Sequence, residues 1–262
     1  MSAKRAYTCT LKTAAVMASI AVPTLANAQV IVVQSTASKY QTGSKIDASV
    51  KVDVPEGKTI VVVLPSGVTR TINGPFNAPA SRLAKSGGKF NVALFKAVEN
   101  YIKTGGSTTS NIGALRSALP RTSKEEIPFS WNTVHIGRSG NICLDKSSLV
   151  TLARSHSSSS SAIFTIVDLE TTQKAQVVFS AGMNGQPWPA ELQLKSGSYG
   201  ILTKGRQMDV VRLRLIESPE VENTLQMLHG QRCTQQLKAY LRVLTTKTVE
   251  VQEEPAEPAE TE

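Results

Sequence analysis

The chain has 262 residues and a formal net charge of +9, a length that suits one large or two small domains. The charge is uneven: residues 29–249 hold 26 basic and 14 acidic residues, whereas 250–262 hold six glutamates and no cation. A basic body with an acidic tail suits an acidic or anionic partner, but its cations are scattered rather than interleaved with aromatics, which excludes a nucleic-acid groove.

In chain order, "MSAKRAYTCTLK" carries Lys4, Arg5 and Lys12 and no acid. An apolar stretch broken by Pro23 follows and ends in Ala26-Asn27-Ala28. Basic start, short apolar core and small-x-small end read as a secretory signal peptide over 1–28, cleaved between Ala28 and Gln29. The apolar part is shorter than the ~20 residues a membrane span needs, and no second long apolar run follows. The expected product is a periplasmic protein without an integral membrane segment. Export removes Cys9 and leaves Cys143 and Cys233, an even pair in an oxidising compartment. One disulfide is expected between them, closing a loop of 90 residues. The chain-entropy relation gives such a closure about 4–5 kcal/mol.

Residues 29–105 read as a small antiparallel β module with a helix. "QVIVVQST" is a strand directly after cleavage. "SKIDASVKVDV" alternates Ile46, Ala48, Val50, Val52 and Val54 with polar residues and predicts one half-buried strand. "KTIVVVLP" is a fuller apolar run, so a strand buried on both faces. Pro65 and Gly67 mark a turn, and "VTRTI" returns as the second strand of a hairpin. Phe90, Leu94, Ala97, Val98 and Tyr101 then recur on one helical face, and Gly105-Gly106 stops the helix. Residues 106–126, rich in Ser, Thr and Gly, read as a linker.

Residues 127–246 hold short strand patterns over 129–136, 142–144, 149–153, 162–169, 175–180, 191–194, 199–203 and 210–216. So many short strands in this length predict an immunoglobulin-like β-sandwich, anchored by Trp131 and Trp188. A helix follows, with Ser218 as N-cap, Pro219 at its first position and Val221, Leu225 and Leu228 on its apolar face. A last helix buries Cys233, Leu237, Tyr240, Leu241 and Leu244, so the disulfide would pin it to the strand at Cys143. The Glu/Pro tail over 247–262 has too little apolar surface to fold.

The search for chemistry yields no catalytic, cofactor-binding or metal-ligating set. His156 lies in a serine run, yet no GxSxG turn accompanies it. His135 and His229 lack ligand spacing. Glu125-Glu126 lies in the linker, and Asp168 with Glu170 ends a strand, a weak pair for glycoside chemistry. The glycine pairs Gly87-Gly88 and Gly105-Gly106 make no phosphate loop. In "NGQPWPAEL", Trp188 between two prolines is a candidate binding aromatic, with a core plug as the favoured reading.

The segment "GSKIDASVKVDVPEGKTIVVVLPSGVTRTINGPF" resembles the FecR-like periplasmic β module, in which an opening strand leads to a Gly-led segment and a strand-turn-strand. Gly43, Gly57, the strand over 59–64, the Ser66-Gly67 turn and the return strand over 68–72 carry the likeness. The stretches "SWNTVHIGRSGNICL", "GQPWPAELQLKSGSYGI" and "LHGQRCTQQL" are similar to the C-terminal part of exported proteobacterial proteins that share such a start. The resemblance implies a sensing or scaffolding role; the expected cleavable signal in place of a cytoplasmic segment and transmembrane helix departs from the family and speaks against an anti-sigma role. The expectation is a non-catalytic protein, without cofactor, that binds an envelope or membrane protein. The alternatives are a binder of anionic envelope polymers through the basic body, and a periplasmic hydrolase.

Overall fold

The computed structural model describes residues 29–84, 90–104, 127–154, 159–203, 209–217 and 219–246. The expected signal peptide with Ala28, the expected linker and unfolded tail, His156, Ser218 and both glycine pairs lie outside these residues. What is described is mainly β, with helices.

The first strands are β1 (Val30–Ser35), β2 (Lys45–Ile46), β3 (Lys51–Val54), β4 (Thr59–Val63), β5 (Thr69–Asn73) and β6 (Phe76–Pro79). Four of them form a sheet in the order β2-β1-β4-β5, and β3 pairs with β6. The apolar runs of β1 and β4 have a physical reason. Val30, Val32, Ile60 and Val62 face one core, shared with Val52, Val54 and Ile72. Ile31, Val33, Val61 and Val63 face a second core on the other side. A strand between two cores has no polar face, so period two disappears from its sequence.

The strand expected over 44–54 is broken. A turn bonds the Val50 N–H to the Asp47 carbonyl, and Val50 is 47% exposed. The halves go to different sheets, β2 on β1 and β3 on β6. Asp47 opens the turn, as Asp favours the first position of a β-turn. The expected hairpin of β4 and β5 forms, pairing Thr59 with Asn73 through Val63 with Thr69, with Gly67 at φ +93° in its turn.

Helix α1 (Ala80–Ala84) follows β6, and α2 (Val92–Lys103) follows the intervening residues. The Asn91 side chain caps α2 by accepting from the Leu94 N–H at 3.0 Å. The cap leaves Phe90 outside the helix and exposed. The buried face is Leu94, Phe95, Val98 and Tyr101, so Phe95 takes the place expected of Phe90.

The remaining strands are β7 (Thr133–His135), β8 (Gly140–Asp145), β9 (Thr151–Ala153), β10 (Ala162–Asp168), β11 (Lys174–Phe179), β12 (Gly185–Pro187), β13 (Gly197–Thr203) and β14 (Asp209–Ile216). They build a five-stranded sheet, β11-β10-β13-β14-β8, and a three-stranded sheet, β12-β9-β7. The pairs β14–β8 and β7–β9 are parallel. Residues of both sheets share one core, including Val134, Leu152, Ile166, Phe179, Tyr199 and Leu213. The strand expected over 191–194 is absent: Leu192 is buried in a loop, and β12 pairs with β9 instead. Leu149, expected in a strand, is 92% exposed in the loop before β9. Trp188 packs on this core as expected, but Trp131 packs on the other one, edge-on to Phe129 at 5.1 Å.

The C-terminal helices are α3 (Thr224–Gly230) and α4 (Thr234–Thr246). The helix expected from Pro219 starts five residues later, and Val221 is 76% exposed. Residues 219–223 do other work: the Glu222 carbonyl accepts from the Thr69 N–H of β5 at 2.8 Å, and the Val221 carbonyl from the Tyr240 hydroxyl at 3.3 Å. Leu225, Leu228, Leu237, Tyr240 and Leu241 fill a core with Ile31, Val33, Val61, Val63, Leu94 and Val98. The two halves of the sequence thus meet in one core around the last two helices.

Candidate interaction site

The disulfide expected from the sequence is present. Cys143 and Cys233 are fully buried, and their Cα atoms lie 5.9 Å apart. It ties β8 to the residue before α4, where Cys233 sits in the core that both halves share.

Beside it Gln236 closes the edge of the five-stranded sheet. Its Oε1 accepts from the Cys143 N–H at 2.7 Å, and its Nε2 donates to the carbonyls of Cys143 at 2.7 Å and Ser130 at 2.8 Å. The amide stands in for the backbone of a neighbouring strand, so β8 is not an open edge. The sequence carries no local signal of this, because an amide on a helix is ordinarily a solvent group.

Trp188 serves as a plug. Its indole N–H donates to the Leu192 carbonyl at 2.9 Å, and its ring meets Tyr199 edge-on at 5.1 Å. The donor and the contact with Tyr199 are committed to packing. Gln29 starts the described chain and donates from Nε2 to Asp47 at 2.7 Å.

The candidate chemical groups do not converge. Asp168 accepts from the Glu170 N–H at 2.9 Å in the tight β10–β11 turn, and Lys195 lies 3.2 Å from it and 3.1 Å from Glu170. The Glu170 N–H, then Thr171 and Lys195, hold Asp168 at about 2 against the opposing effect of burial. A carboxylate so fully bonded is a turn anchor. His135 lies on the edge strand β7, and burial, then Arg138, pushes its pKa down. Among the described residues its Nε2 has no hydrogen-bond partner, and it adjoins a cleft of about 30 Å³ lined by Asn141 and Gln235, room for about a water molecule. Among the described residues no three His, Cys, Asp or Glu side chains gather as a metal site. None of their helices is long and apolar enough to cross a membrane.

Two sheet edges bear on binding. The β5 edge is half closed, since the Glu222 carbonyl takes the Thr69 N–H and Arg70 pairs with Glu222 at 2.9 Å. Among the described residues the β11 edge is open. Bonding between Asp168 and Gln173 sets the alternation of the β10–β11 ladder. Ala175, Val177 and Phe179 bond to β10, and Lys174, Gln176 and Val178 point N–H and C=O outward. Beside this edge Val178 and its cross-strand neighbour Ile163 are each 52% exposed, an apolar pair on the outer face. Arg154 fixes the end of the strand, donating to the Ser180 and Met183 carbonyls over the Phe179 ring.

Comparison with protein-family models, with curated proteins and with solved structures returned no match.

Proposed function

We propose that this chain is an exported, non-catalytic interaction protein that binds a strand of another envelope protein, in sensing or scaffolding. Export rests on the basic, then apolar, then Ala26-Asn27-Ala28 start and fits a buried disulfide, which forms in an oxidising compartment. The FecR-like reading of the first module rests on the β4–β5 hairpin and on the Gly43 and Gly57 turns, at φ +87° and +69°.

The observation that carries the binding reading is the β11 edge. It offers outward N–H and C=O groups at alternate residues, with the Ile163–Val178 pair beside them. An extended partner would add a sixth strand through backbone bonds and set its apolar side chains on that pair. The test is capture from a cell-envelope extract with residues 29–262 as bait, comparing the natural chain with Gln176→Pro. The outward N–H of Gln176 takes no part in the β10 ladder, so proline removes a donor only from the open edge. A partner retained through a high-salt wash by the natural chain and lost by Gln176→Pro supports the reading. Equal retention by both, or release of all bound material by salt, overturns it.

A further inference from the structure

We infer that Arg212, Arg214 and Arg232 form a docking surface for the chain's own acidic C-terminal segment, residues 250–262. Along β14, Val211 and Leu213 face the core, which turns Arg212 and Arg214 to the opposite face, where both are exposed. They lie beside Asn141 and Cys143 of β8, and residues side by side in a ladder share a face at about 4.8 Å strand spacing. Two ties bring the α3–α4 turn onto that face. Asn141 Nδ2 donates to the Gln231 carbonyl at 3.0 Å, and Cys143 is bonded to Cys233. Arg232, exposed and at φ +58°, lies between those two tethered residues.

The backbone of exposed Arg232 is thus held beside the face of Arg212 and Arg214, and none of the three has a carboxylate partner among the described residues. Elsewhere cations do pair: Lys45 with Glu99, Arg70 with Glu222, Lys146 with Glu217 and Lys195 with Asp168. The face lacks a counter-charge, and the tail supplies one. It carries Glu250, Glu253, Glu254, Glu257, Glu260 and Glu262. Its 254–260 stretch reads E-P-A-E-P-A-E. Bound as a polyproline II helix of three residues per turn and about 3.1 Å rise, it would align Glu254, Glu257 and Glu260 on one edge.

The reach is sufficient. Helix α4 leaves this face at Thr234 and runs 13 residues, about 20 Å, to Thr246. Glu254 follows eight residues later, about 25 Å of extended chain, and the 16 residues after Thr246 span about 50 Å. An intramolecular ligand acts at an effective concentration near the millimolar range, so weak ion pairs suffice. The tail then screens the basic face, and an outside anion must displace it.

The test uses residues 29–262, isotope-labelled, by NMR at low and high salt. Four chains are compared: the natural one, Arg212→Glu with Arg214→Glu, Glu254→Lys with Glu257→Lys, and all four changes together. The natural chain is expected to show Glu254 to Glu260 amides displaced from random-coil positions at low salt and returned to them at high salt. Either charge reversal alone abolishes the displacement, and the combined chain restores it. The exposed side chains leave the core untouched, and dispersed methyl signals verify the fold of each variant. Random-coil tail amides at low salt, or displacements that survive the arginine reversal, overturn the assignment. So does displacement that grows with protein concentration, which makes a second copy the occupant. Dextran sulfate, a soluble polyanion, must expel the tail when it shifts the arginine Nε–H signals. If it shifts them and the tail signals stay displaced, the face belongs to an external polymer.

Discussion

A single glutamine side chain decides how one sheet ends. Gln236 makes three hydrogen bonds at the β8 edge, two of them to Cys143, which is fully buried. Gln236→Leu would leave a buried N–H and carbonyl unpaired and should lower stability by about 1–3 kcal/mol in urea unfolding with the disulfide intact. Gln236→Glu should lose at least as much, because a carboxylate cannot donate to the two carbonyls. Carboxylates also set the response to acid. Lys103, then Lys45, hold Glu99 at about 2. Asp168 stands at about 2 through the Glu170 N–H and its neighbours. Both folded values are depressed, so their contributions are complete above the unfolded values and vanish as pH falls through the folded ones. Melting temperature should therefore fall between pH about 4.5 and about 2, and the fall should be shallower in Glu99→Gln.

At the scale of elements, the β4–β5 hairpin shows how a turn is matched to its neighbour. A Cβ at Gly67 would lie 2.1 Å from Leu94 Cδ2 of α2, and Gly67 has φ +93°. Gly57 also has positive φ, at +69°, but open space around it. Gly67→Ala should therefore lose about 1–3 kcal/mol beyond the backbone strain that Gly57→Ala also carries, read as a difference in denaturation midpoint. This hairpin was legible because apolar run, Pro-Ser-Gly and return strand are all local signals. So were β10, β11 and β14 as strands, although in β10 apolar Ile163 is exposed and Asp168 is buried, so its sequence does not say which face is inward. The break after β2 was not legible. Ala48 and Val50 keep the alternation through a turn that is fixed by distant backbone bonds, Ala80 N–H to the Val50 carbonyl and Ser81 N–H to the Ala48 carbonyl. The late start of α3 had the same origin, since β5 and Tyr240 draw on the carbonyls of residues 221 and 222. Of the candidate sites, the cysteine pair could be read from an even cysteine count in the expected exported chain. The β11 edge could not, because strand order within a sheet has no local signature.

Across the whole molecule, the core under α2, α3 and α4 joins strands β1 and β4 to the cysteine pair of the second half. The C-terminal helices pack against both parts. Among the described residues the far edge of the five-stranded sheet stays open, and the proposed partner strand would add there. The most direct measurement is residue-resolved amide exchange of β11 in residues 29–262, free and in the captured complex. Alternation is expected in the free chain, with slow Ala175, Val177 and Phe179 and fast Lys174, Gln176 and Val178, and slowing of the fast set in the complex. Protection of all six in the free chain, or a complex that leaves Gln176 and Val178 fast, would contradict it.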